Sequence, residues 1–227
     1  DHQFFGVSAR ESRSMDPQQR LLLQETWHCI EDAGLTLERL RSGETGVWVG
    51  VMANDYHQAA VAPDVEIDSY AALGSYDCIL ANRISYSFGL SGPSLSVGAA
   101  CASSNVAIHL AKRSLLSGEC GYAFAAGVSL NFHPWKNISF NRSHMLSPDG
   151  RCKTFDQLAN GYVPGEGVTV LLLQRLEDAV AEGNPIHGII AGTAVNHTGT
   201  GPMITAPRVE AQSSVVLAAL KDANLTA

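Results

Sequence analysis

The chain has 227 residues, a net charge of −7, and 16% charged against 45% hydrophobic residues. The acidic balance removes any overall attraction to nucleic acid or anionic lipid, and no apolar run reaches the ~18 residues that a membrane-spanning helix needs. A charged fraction below the about 25% usual for soluble proteins leaves little solvated surface, and predicts a buried interface or a missing neighbouring chain.

In chain order, the opening DHQFFGVSARESRS has no basic start followed by an apolar run, so no secretory signal is read and the expected compartment is the cytoplasm. Asp16 before Pro17 reads as N-cap and first helical residue. Leu22, Leu23, Thr26, Trp27, Ile30 and Ala33 then recur at steps of three and four until Gly34, which predicts an amphipathic helix. GVWVGVMA (46–53) suits a strand buried on both faces. A polar, partly irregular stretch runs to about Ser75, and a helix is predicted over DCILANRISYSFG (77–89). SLSVGAAC (94–101) reads as a strand and ASSNVAIHLAKRSLLSG (102–118) as a helix with Val106, Leu110, Ala111 and Leu115 on one side and Gly118 as terminator.

YAFAAGVSL (122–130) is the next strand. From Asn131 to Gly167 the periodicity fades, and an unstructured length of that size is usually functional. VTVLLLQ (168–174) and IHGIIAGTAVN (186–196) are expected as adjacent strands joined by a charged turn or helix, and residues 207–224 as a helix with Val215, Val216, Ala219 and Leu220 inward. Alternating strands and helices predict an α/β protein with a largely buried sheet and no internal domain boundary.

The five cysteines, Cys29, Cys78, Cys101, Cys120 and Cys152, are odd in number and contain no C-x-x-C pair, so reduced thiols are expected rather than disulfides or zinc. Cys101 falls where an apolar strand meets a helix, among the small residues Gly98, Ala99, Ala100 and Ala102. At a helix N-terminus the dipole favours thiolate, and first-turn N–H groups can receive an oxyanion. The same cysteine would also serve as a small packing residue, and position alone leaves both roles open.

Three ordered blocks carry a resemblance. FFGVSARESRSMDPQQRLLLQETWHCIEDAGL (4–35), GPSLSVGAACASSNVAIHLAKRSLLSGEC (92–120) and MLSPDGRCKTFDQLANGYVPGEGV (145–168) resemble the opening segment, nucleophile segment and active-site loop of β-ketoacyl synthase domains of modular polyketide synthases. NFHPWKNISF (131–140) and TAPRVEAQ (205–212) lean toward synthases served by a separate acyltransferase. The resemblance implies a thiolase-like α/β/α/β/α fold, here a single partial domain over residues 1–227 that is incomplete at both ends.

It further implies that Cys101 takes an acyl chain from a phosphopantetheine thioester on acyl carrier protein, and that decarboxylative condensation with a malonyl-type extender follows. No cofactor is expected to bind directly. The expected partners are acyl carrier protein, neighbouring synthase domains and a second copy of the chain, without nucleic acid or membrane. Asp149, Lys153, Asp156, Asn160 and Glu166 are expected to support the active site from the long loop. The two histidines and the lysine that assist condensation in this family are expected beyond the last matched block, so the 227 residues alone are not expected to condense.

The nucleophile motif of the family is close to D-T-A-C-S-S, whereas this chain has Gly98, Ala99 and Ala102 at the acidic and two hydroxyl positions. That departure keeps two alternatives open: a domain that transfers or gates acyl chains without elongating them, and a silent scaffold for dimerisation. A hydrolase elbow would need glycines two residues on either side of the nucleophile, where this chain has Ala99 and Ser103. His197 in His197-Thr198-Gly199 imitates a catalytic H-G-T-G-T, but it precedes the TAPRVEAQ block that the true motif follows, and is read as a turn histidine. His109 lies two turns beyond Cys101, too far to act as its base. His133 and His144 lie in the long loop, where both a place lining the acyl tunnel and a solvated loop position are open to them.

Overall fold

A computed structural model describes residues 1–52, 55, 56, 58 and 68–226. Helices α1 (Ala9–Ser14), α2 (Pro17–Asp32) and α3 (Leu37–Arg41) lead into strand β1 (Thr45–Val51). Asp16 caps α2 as expected, its carboxylate accepting the Gln18 N–H at 2.7 Å, and Leu22, Leu23, Thr26 and Ile30 form the buried side of the helix. Every residue of β1 is buried, as its Val-rich run predicts; Ala53, the end of the expected strand, and most of the polar stretch after it lie outside the described residues. Next come α4 (Ala71–Ser75), α5 (Cys78–Phe88), closed by Gly89 in the left-handed conformation, and β2 (Ser94–Val97). Helix α6 (Ser103–Ser117) leads to β3 (Tyr122–Ser129), then α7 (Trp135–Arg142), β4 (Gly167–Gln174), α8 (Leu176–Glu182) and α9 (Val209–Asp222).

The strands form one sheet in the order β2-β1-β3-β4, parallel except for β4. Because side chains alternate along a strand, β1 and β3 each feed two cores. Val47, Val49 and Val51 of β1 and Phe124, Ala126 and Val128 of β3 pack under α2 and α5, and Trp48, Ala123 and Ala125 pack against Ala107, Ala111 and Leu115 of α6 on the other face. Three layers result, helix–sheet–helix.

The chain departs from the sequence reading along several segments. Strand β2 stops at Val97, four residues early, because residues 98–102 turn away from β1. The inward side of α6 is Ser103, Ala107, Ala111, Ser114 and Leu115, whereas Leu110 is 37% exposed: close approach to the sheet favours small side chains over large ones. Residues 186–196 make no ladder among the described residues; Thr193 instead bonds to His109 of α6 at 2.8 Å and to Asp222 of α9 at 2.9 Å. The expected long loop contains α7, whose apolar residues show no one-sided pattern. Helix α9 lies on the surface, with Val216 exposed rather than inward.

Candidate active site

The chain leaves β1, reaches β2 on one side of it, and crosses through α6 to β3 on the other side. The sheet order therefore reverses at β1, and the crevice at the carboxyl ends of the parallel strands is where ligands bind in such sheets. Cys101 sits at that crevice. It occupies a 3₁₀ turn, Ala100–Ala102, between β2 and α6, and is solvent-exposed.

Two glycines set the turn against the sheet. A methyl group on Gly50 of β1 would lie 2.4 Å from the Ser104 backbone nitrogen and 2.5 Å from the Ser103 carbonyl carbon, and one on Gly127 of β3 would lie 2.8 Å from Ser104 Cβ. The start of α6 thus rests directly on the two central strands. Ala100 has φ of 49°, a left-handed conformation that costs a residue with Cβ about 1 kcal/mol or more. Ser103, only 4% exposed, bonds back across the turn: its Oγ accepts the Ala99 N–H at 2.9 Å and lies 2.7 Å from Ala100 O and 3.0 Å from Val51 O, to which it donates.

Beside the thiol is a hollow of about 270 Å³ lined by Gly50, Met52, Ser104, Gly127, Ser129 and Thr169 among others. Helix α6 opens with no acidic side chain in its first turn and no side-chain N-cap bond, so its positive end faces this region uncompensated. The other cysteines differ. Burial pushes the Cys29 thiol up to about 11 and raises that of Cys120, which disfavours their thiolates. Cys78 and Cys152 are exposed but do not line this hollow.

The expected loop residues form a separate cluster. Lys153 pairs with Asp149 and donates to Asn160 Oδ1, each at 2.7 Å, and the Asp149 carboxyl is held below the usual range by hydrogen bonds from Lys153 and Ser147. Asp156 accepts the Leu158 N–H at 2.8 Å, holding its own turn. None of these four lines the hollow. Glu166 comes nearer: its carboxylate accepts the Asn131 N–H at 2.6 Å, tying the loop's end, next to the lining residue Gly167, to the exit of β3. His197 accepts the Gly199 N–H at 2.9 Å within its own turn, His133 accepts the Trp135 N–H at 3.2 Å, and neither lines the hollow.

Sequence reasoning missed three contributors. Ser103 was overshadowed by the apolar residues before it. Tyr162, in the long loop, has its phenol pushed up, first by burial and then by the charge of Cys101; its place beside Gly161 was the only signal. Asp55 is buried and accepts the Phe132 and His133 N–H groups at 3.2 Å, so with Gln18, which accepts the Leu130 N–H at 3.2 Å, it fixes the exit of β3; no local pattern marks it.

Known proteins share this fold. The β-ketoacyl synthase N-terminal domain family matches residues 1–179. The chain is 45% identical over 223 residues to polyketide synthase ThaG of Burkholderia thailandensis, covering 98% of this chain and 4% of that protein. It is 44% identical over 226 residues to polyketide synthase GfsE of Streptomyces halstedii, covering 100% of this chain and 6% of that one. Two solved structures superpose with a TM-score of 0.90: the oxazolomycin ketosynthase domain of Streptomyces albus, at 36% identity over 100% of this chain and 39% of that one, and the module 6 ketosynthase of the bacillaene synthase of Bacillus subtilis, at 38% identity over 99% and 38%. The chain spans a small part of its curated relatives and under half of these solved chains. Their thiolase-like fold is the one the resemblance implied, and the helix–sheet–helix unit described above supplies three of its layers.

Proposed function

The chain belongs to the β-ketoacyl synthase family, and from that premise we propose that it is the nucleophile-bearing part of a polyketide synthase ketosynthase domain. The Cys101 thiolate attacks the carbonyl of an acyl thioester carried on the phosphopantetheine of acyl carrier protein. A new C–S bond to Cys101 forms, the bond to the carrier thiol breaks, and that thiolate takes up a proton. A malonyl-type extender then loses carbon dioxide, and its carbanion attacks the Cys101 thioester and expels the thiolate, leaving a β-ketoacyl carrier thioester longer by two backbone carbons. The observation that carries this reading is an exposed cysteine in a strained turn at the start of α6, beside a hollow at the carboxyl ends of β1 and β3.

We assign Asp149, Lys153, Asp156 and Asn160 to holding the long loop, and Glu166 to anchoring it at the exit of β3. Among the described residues no helix is long and apolar enough to cross a membrane, and the proposed setting is a cytoplasmic multidomain synthase. A reading as a transfer-only domain is favoured by the apolar Gly98, Ala99 and Ala102 around the nucleophile. One experiment separates the two: acyl thioester and malonyl carrier protein are supplied to the protein carrying this chain, and products are read by mass spectrometry. A β-ketoacyl carrier supports elongation, whereas an acylated enzyme without that product supports transfer only.

We also propose a homodimer pairing through β2. That strand is the sheet edge, its outer side is unpaired among the described residues, and Leu95 at its centre is 50% exposed, a combination that invites strand addition. Light scattering is expected to give twice the protomer mass at micromolar concentration, and Leu95→Lys is expected to lower it toward the monomer; a monomer before substitution contradicts the proposal.

A further inference from the structure

We propose that Ser103 is the positioning residue that aligns Cys101 for acyl transfer, an inference that rests on Cys101 being the acylated residue. Gly98, Ala99, Ala100 and Ala102 carry no polar side-chain atom, and Ser103 supplies the side-chain hydrogen bonds to the backbone of this turn. Its hydroxyl joins three pieces of backbone: the lead-in at Ala99 N–H, the strained residue at Ala100 O, and the carboxyl end of β1 at Val51 O. The single hydroxyl proton is shared between the two carbonyls while the oxygen accepts the N–H. Cys101 lies between the strained residue and the serine that restrains it.

The consequence follows from the strain. Ala100 holds φ of 49° against its own preference, and such conformations persist only where the surroundings over-determine them. Removing the hydroxyl frees Ala99 N–H and Val51 O from their side-chain partner and lets residue 100 relax toward negative φ, which turns the Cys101 peptide relative to the first turn of α6. Attack on a thioester develops an oxyanion whose stabilisation depends on aligned N–H donors. Attack on iodoacetamide develops no oxyanion and needs only an accessible thiolate. A positioning role therefore slows the first reaction and spares the second, whereas simple destabilisation of the site slows both.

The test uses the protein carrying this chain, with S-butyryl-N-acetylcysteamine as acyl donor and peptide mapping of the modified cysteine. Ser103→Ala is expected to lower acylation at Cys101 about 30-fold or more, approaching the ~10²–10³ typical of losing an oxyanion donor, while alkylation by iodoacetamide stays within about threefold. Ser103→Thr keeps the hydroxyl and is expected to retain the acylation-to-alkylation ratio of the unsubstituted protein; it also decides the matter if the alanine variant proves too unstable to purify. Equal slowing of both reactions in Ser103→Ala, acylation within threefold of the unsubstituted protein, or a folded Ser103→Thr that has lost the ratio overturns the proposal. Labelling of the unsubstituted protein chiefly at another cysteine overturns instead the reading on which it rests.

Discussion

Cys101→Ala is expected to abolish acyl loading, lowering its rate on the order of 10⁴-fold or more, as loss of a covalent nucleophile does in enzymes that form acyl intermediates. Stability is expected to change by no more than about 0.5 kcal/mol, because the side chain is exposed. The pair of results matters: lost loading with an unchanged unfolding midpoint locates the defect in chemistry rather than in the elbow. Cys29 and Cys120 are not expected to substitute for it, since burial raises both thiols and disfavours their thiolates. Cys78 opens α5 and is exposed, so Cys78→Ala is the informative companion; it is expected to load at the rate of the unsubstituted protein. Thioester-trapping followed by intact mass checks both variants.

Gly50→Ala is expected to lower stability by about 3 kcal/mol and acyl loading about 100-fold. The added methyl would lie 2.4–2.6 Å from the Ser104 nitrogen and the Ser103 carbonyl, all backbone atoms, so no rotamer change relieves it. β1 is fully buried and paired on both sides, to β2 and β3, so the strand cannot give way and the start of α6 must lift from the sheet. That lift moves Cys101 with it. Gly98→Ala is the control within the same site: its methyl would meet only Val51 O, at 3.9 Å, and both stability and loading are expected to hold. Denaturant unfolding and the loading rate measure the two effects separately. A Gly50→Ala protein as stable and as active as the unsubstituted one would contradict the close seating of α6.

Where a segment's pattern arises from its own packing, it was legible. The cap and repeat of α2, the Val-rich run of β1 and the terminating glycines of α5 and α6 each state a local requirement that the fold meets. Patterns whose cause lies elsewhere misled. Leu110 looked inward because large apolar residues usually are, but α6 approaches Gly50 and Gly127 so closely that alanines and serines fill that side. Residues 186–196 have the composition of a strand, yet a strand also needs a partner for its N–H and C=O groups, and among the described residues this segment finds side chains of α6 and α9 instead of a ladder. At the candidate site the position of Cys101 between strand and helix was legible, whereas Ser103 and Asp55 act through contacts that spacing does not encode.

The acyl-carrying role proposed for Cys101 is tested most directly by locating the acyl group itself. The protein carrying this chain is incubated with S-butyryl-N-acetylcysteamine, digested, and sequenced by tandem mass spectrometry. The expected result is one butyryl thioester, on the peptide containing Cys101, with Cys29, Cys78, Cys120 and Cys152 unmodified. A butyryl group placed chiefly on any of those four, or free butyrate with no enzyme-bound acyl group, would contradict the account.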